Sequence, residues 1–514
     1  MSEADRASVS LSLVSHTNAG KTTLARTLLG RDIGEVRDAP HVTEFADVHT
    51  LIETGAGERL TLWDTPGFGD SARLVKRLRG GERPLVRFLA ETWDRWRDRP
   101  FWASQQALRN VRDEADVMLY LVDASQSPEA AAWVAPEMEL LGWVGKPVIV
   151  LLNQLGAPRA AGEGDEARWR SHLAGFGVVR TVLPLDAFAR CWVQELTLLG
   201  AVAAALPVAK QPLMAHLLAA WRERRMATFD ASMRALAQSL ARSAIDTVPL
   251  PESGSLRTRL RHAGAAIGIG SAADTPALQA QGALVAQLDA ETRASTLALI
   301  GLHGLGGTAR RDILDRLTSQ YDMRLRLDET QAAVWGGAVT GALVGLKADV
   351  LSGGLTLGGG MLTGGLLGAL GSAGLARAVN LVRGTDRSVV AWKPEALDAI
   401  AEAALLRYLA VAHFGRGRGD WAQGEAPAHW RGVVAAALAP YGEALGAAWS
   451  ERVAGRDEDS AAASARVAER LEPVLRETAW TALRALYPEA GMAEEVPDQV
   501  PGEVPENAPP RPET

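Results

Sequence analysis

The chain of 514 residues is poor in cysteine and in aromatic side chains. Its single cysteine, Cys191, cannot form an internal disulfide, which suits a reducing compartment. Aromatic residues make up 5% of the chain, whereas alanine, glycine and leucine are abundant, and this composition favours close-packed helices over sheet. The polar residues 1–8 lack the apolar core of a secretory signal, so we expect a cytoplasmic protein.

Basic surface is also scarce. The net charge is −7, but from Pro488 onward seven acidic residues stand against Arg511 alone, which accounts for −6 of it. The body of the chain is therefore nearly neutral, and without a basic stripe we expect no nucleic-acid partner. The tail at 488–514 is rich in proline and glutamate, and we expect it to be disordered, as we do residues 1–8.

The stretch SHTNAGKTT at residues 15–23 has a residue order that binds phosphate. An apolar run at 9–14 precedes it and a helical pattern at 22–29 follows it, which is the strand–loop–helix context that such a loop needs. Backbone N–H groups of the loop and the N-terminus of the helix would bind the phosphates. Ser15 stands where the usual pattern has its first glycine, which is tolerable if the turn needs no strongly positive φ.

The positions of this loop have distinct expected roles. Lys21 would reach the β- and γ-phosphates, and the Thr22 hydroxyl would hold Mg²⁺. The residues of the loop expected to contact nucleotide are Asn18, Ala19, Gly20, Lys21, Thr22 and Thr23.

A second motif, DTPG at residues 64–67, follows an apolar strand pattern at 60–63. Asp64 at the end of that strand can bind the Mg²⁺ shell, and the Gly67 N–H can contact the γ-phosphate. Between the two motifs, Thr43 is the candidate for a threonine that binds Mg²⁺ and senses the γ-phosphate, the alternative being an ordinary loop residue. The expected metal ligands are thus Thr22, Thr43 and Asp64, and the groups expected to act in catalysis are Lys21, Thr43 and Gly67.

The water-orienting and base-reading positions depart from the usual pattern. Phe68 follows Gly67, where a water-orienting glutamine is common, and a phenyl ring cannot polarise water, so we expect slow turnover. Asn153 begins the base-reading motif Asn-Lys-x-Asp, but Gly156 replaces its aspartate. Asp186 is an alternative source of a carboxylate for the base edge, although a helix N-cap fits its position equally well. The choice between guanine and adenine therefore stays open on these residues.

Residues 9–206 are predicted to form one α/β unit, a mostly parallel sheet with helices on both faces. The second and third strands are expected to pair as a hairpin, and nucleotide is expected at the carboxyl ends of the strands. The predicted strands are 9–14, 46–52, 60–63, 117–122, 148–152 and 178–183.

Residues 207–487 are predicted to form an all-α domain. The glycines of the apolar stretch at 332–376 recur at every fourth position in two ladders, which indicates a helical hairpin with a glycine-lined contact, a glycine zipper. The predicted helices outside this hairpin are 214–244, 255–263, 275–301, 307–332, 393–414, 428–449 and 460–487.

Two interpretations of the hairpin at 332–376 stay open: contact with or insertion into a membrane, and burial in a soluble helical domain. A spanning helix needs about 20 apolar residues for a core of roughly 30 Å. The first arm would reach only about 22 Å at 1.5 Å per residue, which favours the buried hairpin. Arginines on both flanks would leave both ends on the cytoplasmic side if the hairpin did insert.

Residues 9–193 resemble an Era-like bacterial GTPase of the septin- and TrmE-related branch. The phosphate loop, residues 40–43, the DTPG motif and the hydrophobic residue after it carry this resemblance. The whole chain is similar to bacterial GTPases with an uncharacterised helical C-terminal domain, through residues 185–195, the glycine-rich hairpin and the HFGRGRG stretch at 413–419. The resemblance implies GTP and GDP binding and GTP hydrolysis, with Mg²⁺.

The resulting hypothesis is a slowly hydrolysing, Mg²⁺-dependent GTP-binding switch whose helical domain acts as effector, with inner-membrane contact through 332–376 left open. One alternative is a nucleotide-binding scaffold with little or no hydrolysis, which Phe68 and Gly156 favour. Another is an ATP-using phosphate-loop protein, which the missing base-reading aspartate allows. The protein partner and the oligomeric state are not indicated by the sequence.

Overall fold

The computed structural model describes residues 7–17, 19–29, 46–79, 84–90, 98–153, 165–185, 191–249, 276–305, 379–383, 388–413, 429–454 and 460–490. The glycine-rich hairpin predicted at 332–376, the predicted helices at 255–263 and 307–332, and the tail beyond residue 490 lie outside this part of the chain.

The amino-terminal half is built on a six-stranded sheet in the order β2-β3-β1-β4-β5-β6. β2 and β3 pair antiparallel as the predicted hairpin, and the other neighbours pair parallel. All six predicted strands are therefore confirmed. Strands β1 to β6 cover Ser8–Ser15, Asp47–Glu53, Arg59–Asp64, Val117–Asp123, Val148–Asn153 and Val179–Pro184, respectively.

Helices cover both faces of this sheet, which explains why its central strands are continuously apolar. Along β4, Met118 and Tyr120 enter one apolar cluster, while Leu119 and Leu121 enter the other. The helices around the sheet are α1 Lys21–Leu29, α2 Ser71–Leu78, α3 Pro84–Ala90, α4 Arg99–Asp113, α5 Val134–Val144, α6 Asp165–Leu173 and α7 Trp192–Ala205.

The carboxyl-terminal half is mainly helical, as predicted. Its core contains an aromatic group in which Trp192, Phe229, Tyr408 and Trp480 lie with ring centroids about 6 Å apart. The Trp192 indole N–H donates to the Tyr408 hydroxyl at 3.2 Å, so α7 is tied into this second core. The helices described here are α8 Gln211–Ile245, α9 Pro276–Leu302, α10 Pro394–Ala412, α11 His429–Leu438, α12 Gly442–Ala454 and α13 Ser460–Leu486.

A three-stranded antiparallel sheet also lies within this mainly helical region, and sequence reasoning did not predict it. Its strands are β7 Thr247–Pro249, β8 Val379–Arg383 and β9 Ser388–Trp392, in the order β7-β9-β8. Each strand is three to five residues long, and one pairing joins segments about 140 residues apart, so local periodicity carried no signal. The helix predicted at 428–449 is also divided, because Pro440 removes a backbone donor and a 3₁₀ turn at Ala439–Tyr441 separates α11 from α12.

Helix α8 belongs to both halves. Its first part buries Met214, Leu217 and Trp221 among the residues that pack under the sheet. Its later part buries Phe229 and Met233 in the helical core. One continuous helix of 35 residues therefore joins the two cores. Among the described helices, none combines the length and apolarity that crossing a membrane would require.

Candidate functional site

The predicted site residues converge at the carboxyl ends of β1, β3 and β5. The phosphate loop follows β1, Asp64 ends β3 and Asn153 ends β5. Because β1, β3, β4 and β5 run parallel, their carboxyl ends lie on the same side of the sheet. The fold therefore brings together residues from three separate stretches of sequence.

Gly20 and Asn153 determine the shape of the phosphate loop. Gly20 has φ +91°, a conformation that residues with a side chain rarely adopt, and an added Cβ would lie 3.0 Å from Asn153 Nδ2. Asn153 is fully buried, and its Nδ2 donates to the Ala19 carbonyl oxygen at 3.1 Å. Asn153, for which the sequence predicted a role at the base, thus holds the phosphate loop in place.

Lys21 is buried beneath the loop with its ammonium bound to a hydroxyl. Its Nζ donates to Ser15 Oγ at 2.9 Å. Burial lowers the pKa of Lys21, an effect that the negative charges of Asp64 and Glu137 partly oppose. A desolvated ammonium held by a neutral hydroxyl is ready to take a phosphate oxygen. Ser15 ends β1 in extended conformation, so the serine in place of the usual glycine is accommodated.

Thr22 and Asp64 form the part of the site suited to a metal ion. Thr22 Oγ1 donates to Asp64 Oδ2 at 2.6 Å, whereas Asp64 Oδ1 is buried and has no hydrogen-bond partner within the described structure. Burial raises the pKa of Asp64, and the Thr22 hydrogen bond and the Lys21 charge oppose that rise. An unsatisfied carboxylate oxygen beside a threonine hydroxyl fits Mg²⁺, which binds few protein oxygens and keeps waters and phosphate as its other ligands.

The DTPG segment lies directly against the phosphate loop. Phe68 N donates to the Ser15 carbonyl oxygen at 2.8 Å. A Cβ on Gly67 would lie 3.0 Å from Thr17 Cα and 3.1 Å from Lys21 Nζ, so only glycine fits without displacement. The Gly67 backbone is therefore near the ammonium that would meet the terminal phosphate.

The structure brings together Ala19, Gly20, Lys21, Thr22, Asp64, Gly67 and Asn153, and the nucleotide-binding roles expected for them stay predictions. Thr23 lies on α1 next to them and is buried. Asn18, Thr43 and Asp186 fall outside the described residues, and their expected roles stay predictions.

Residues 10–154 match the family model described as 50S ribosome-binding GTPase. They form a P-loop GTPase domain. The match contains the phosphate loop, the DTPG motif and Asn153, which are the same elements that the geometry brings together.

Each of three similar proteins matches less than half of the chain. GTPase Der from Myxococcus xanthus is 31% identical over 147 residues, which are 28% of this chain and 26% of Der, so the chain spans about a quarter of that relative's length. Era in complex with MgGDPNP and 16S ribosomal RNA nucleotides is 18% identical, covering 39% of this chain and 57% of Era, with a TM-score of 0.28. A variant of Aquifex aeolicus Era bound to GDP and AlF₄⁻ is 19% identical, with the same coverages and TM-score. Scores this low identify neither a ligand nor an activity for this chain.

Phe68 of the GTPase domain points into the protein interior. Its side chain is fully buried in the apolar cluster that also holds Leu74, Phe88 and Tyr120. Residue 68 therefore offers no side chain to a water molecule near the phosphates. The sequence-based expectation that this position cannot orient water is consistent with this placement.

The variant Phe68→Gln is expected to lower the free energy of unfolding by about 3 kcal/mol, because it removes a buried ring and buries an amide without a partner. It is not expected to accelerate GTP hydrolysis, since the backbone directs residue 68 into the core. Urea unfolding and phosphate-release assays would measure the two effects. A folded variant with faster hydrolysis would contradict this interpretation.

Sequence reasoning missed two residues of the GTPase domain, His16 and Glu137. His16 Nδ1 donates to Glu137 Oε1 at 2.7 Å, and the imidazole stacks on Trp133. A signal for Glu137 was present, because it shares one helix face with Val134 and Leu141, which are both buried. An acidic residue in the apolar stripe of a helix requires polar partners, and His16 supplies one of them.

Proposed function

We propose that the GTPase domain binds guanine nucleotide with Mg²⁺ and hydrolyses GTP slowly. The observation that supports this most directly is the pairing of a buried, unsatisfied Asp64 oxygen with the Thr22 hydroxyl, beside the desolvated ammonium of Lys21. Such an arrangement is unfavourable without a ligand, because buried polar groups need partners. A magnesium ion would satisfy the Asp64 oxygen that lacks a partner, and a triphosphate would give the Lys21 ammonium a charged acceptor.

The roles proposed for the residues follow from these positions. Lys21 Nζ would transfer its hydrogen bond from Ser15 to the β- and γ-phosphate oxygens. Thr22, Asp64 and Thr43 would hold Mg²⁺, which supplies charge neutralisation at the phosphates when bound. The Gly67 N–H would contact the γ-phosphate, so that the segment leading into α2 responds to its presence.

Slow hydrolysis is proposed because residue 68 cannot place a polar atom on the attacking water. The buried Phe68 also favours the second candidate function, a nucleotide-binding scaffold with little hydrolysis. In that case GDP and GTP would both bind, and the bound GTP would persist.

The helical region is proposed as the effector, in a chain of the Era-like branch. It contacts the GTPase domain through α8 and through an ion pair between Arg225 Nη2 and the buried Glu195, at 2.7 Å. A cavity of about 240 Å³ also separates Leu185 from Tyr487 near the end of α13. Leu185 immediately precedes Asp186, the candidate for reading the base edge.

A titration with fluorescent GTP, GDP and ATP, in Mg²⁺ and in EDTA, tests the proposal. We expect both guanine nucleotides to bind at least about 100-fold more tightly than ATP, because adenine would leave unpaired the carboxylate that we propose Asp186 to present to the base edge. Asp64→Asn should weaken GTP binding in Mg²⁺ by about 10- to 100-fold and have a smaller effect in EDTA.

Asp116→Asn is the matched control, since the Asp116 carboxylate bonds Lys210 rather than the phosphate loop. If the folded protein takes up no purine nucleotide at millimolar concentration, the proposed function is wrong. Equal affinity for ATP and GTP would instead support the ATP-using alternative, and binding without phosphate release would support the scaffold.

A further inference from the structure

Glu137 is a fully buried carboxylate with three hydrogen-bond donors around it. Its Oε1 accepts from His16 Nδ1 at 2.7 Å and from Ser71 Oγ at 2.8 Å, and its Oε2 accepts from the Tyr120 hydroxyl. Burial and the neighbouring carboxylate raise the pKa of Tyr120 well above its ordinary value, which keeps this phenol protonated as a donor. The carboxylate is therefore well satisfied, as burial of a charge requires.

The two donors on Oε1 come from segments with different expected tasks. His16 is in the phosphate loop, which any bound nucleotide would contact. Ser71 is the first residue of α2 and lies four residues after Gly67, in the segment expected to respond to the γ-phosphate. Glu137 Oε1 therefore connects the phosphate loop, which any nucleotide would contact, to helix α2, which follows the segment expected to respond to the γ-phosphate.

Further contacts make the positions of these two segments interdependent. His16 forms a parallel bridge with Phe68, so the backbone of the loop and the backbone after Gly67 already touch. Displacing Ser71 would remove one of the donors that stabilise the buried charge of Glu137. His16, the remaining donor on Oε1, would then have to compensate by shifting, because a buried acceptor that loses a partner is costly.

We infer that Glu137 is a positioning residue that couples the phosphate loop to helix α2 through His16 and Ser71. This inference rests on the proposed function for its nucleotide consequence. When the γ-phosphate draws the Gly67 segment, the Ser71–Glu137–His16 connection transmits the displacement to the loop. Preference for GTP over GDP then depends on three residues, of which Ser71 and Glu137 lie outside the phosphate-binding motifs.

The first test measures the ratio of GTP to GDP affinity with a non-hydrolysable GTP analogue. Ser71→Ala and His16→Ala should each change this ratio by about fivefold or more, within the usual range of coupling between sites. His16→Asn, whose amide can donate from the position of Nδ1, should restore most of the ratio. The double variant should show no larger change than either single one, because both donors act on the same oxygen.

Ser12→Ala is the matched control for a merely structural effect. Ser12 is a buried serine of the same domain, and its hydroxyl donates to Asn110 Oδ1 at 2.7 Å. It should lower stability while leaving the affinity ratio unchanged. If Ser71→Ala and Ser12→Ala lower stability alike and both leave the ratio intact, the inference is overturned.

A second test needs no nucleotide and separates failure of the coupling from failure of the proposed function. Hydrogen exchange of the α2 amides, residues 71–78, should accelerate about fivefold or more in His16→Ala, although His16 is on a different segment. Unchanged exchange in α2 would overturn the coupling even if GTP binds. Accelerated exchange in a protein that binds no nucleotide would sustain the coupling and refute the proposed function.

Discussion

Replacing Lys21 by alanine is expected to reduce GTP and GDP affinity by at least about 100-fold, the largest effect of any single change in this chain. The variant removes a charge-assisted hydrogen bond from a buried site, where such bonds are about twice as strong as neutral ones. The folded protein should tolerate the change, because burial already disfavours the ammonium, as the lowered pKa of Lys21 indicates. Fluorescent-nucleotide titration measures the affinity, and thermal melting without nucleotide verifies the fold.

Lys146→Ala removes the same charge at the opposite edge of the sheet. The Lys146 ammonium donates to the Arg112 carbonyl oxygen at 2.6 Å. Lys146 lies before the amino end of β5, whereas the phosphate loop lies at the carboxyl ends of the strands. Its loss should leave both affinities within about twofold, since surface charge substitutions seldom act over such distances in physiological salt. Equal losses in the two variants would show that net charge, not the loop, determines binding.

Acidification is expected to destabilise the helical region by about 3 kcal/mol at pH 4 through His413 alone. His413 Nδ1 donates to the Leu409 carbonyl oxygen, and Nε2 accepts from the Tyr487 hydroxyl, each at 2.6 Å. Burial lowers the pKa of His413 to about 4, whereas in the unfolded chain it is near its ordinary 6.5. Between these values the unfolded chain binds more protons, so stability falls as the pH falls from 6.5 to 4.

Urea unfolding at a series of pH values would measure this loss, and His413→Asn should reduce its steepness while lowering stability at neutral pH. His303, whose pKa is also lowered to about 4, should add to the same slope. His172→Asn is the control, because this side chain is exposed on α6. If the slope in His413→Asn equals that of the wild type, protonation of His413 does not contribute to acid unfolding.

The sheet and the phosphate site were predictable because their signals are local. An apolar run, a glycine-lysine-threonine sequence and an aspartate at a strand end each occupy a few consecutive residues, and the parallel topology then brings them to one edge. The conformation of these elements is therefore determined by residues that are close together in the sequence.

The remaining features depend on contacts between distant residues. Glu137 and His16 are 121 positions apart, and neither stretch of sequence indicates the partner of the other. β7 pairs with β9 across a similar separation, and its three residues are too few to show a period. Ser15 as the partner of Lys21 was missed for a different reason, because the comparison with the usual glycine emphasised backbone freedom and not the hydroxyl.

Helix α8 connects the two cores mechanically. Trp221 anchors it under the sheet, and Phe229, about two turns later, anchors it among the aromatic rings of the helical core. No flexible joint exists between these anchors, since the helix is unbroken from Gln211 to Ile245. A displacement of the helix at Trp221 would therefore be transmitted to Phe229 as a translation or rotation of the whole helix. The two cores are thus coupled by rigid-body motion of α8 and not by bending at a hinge.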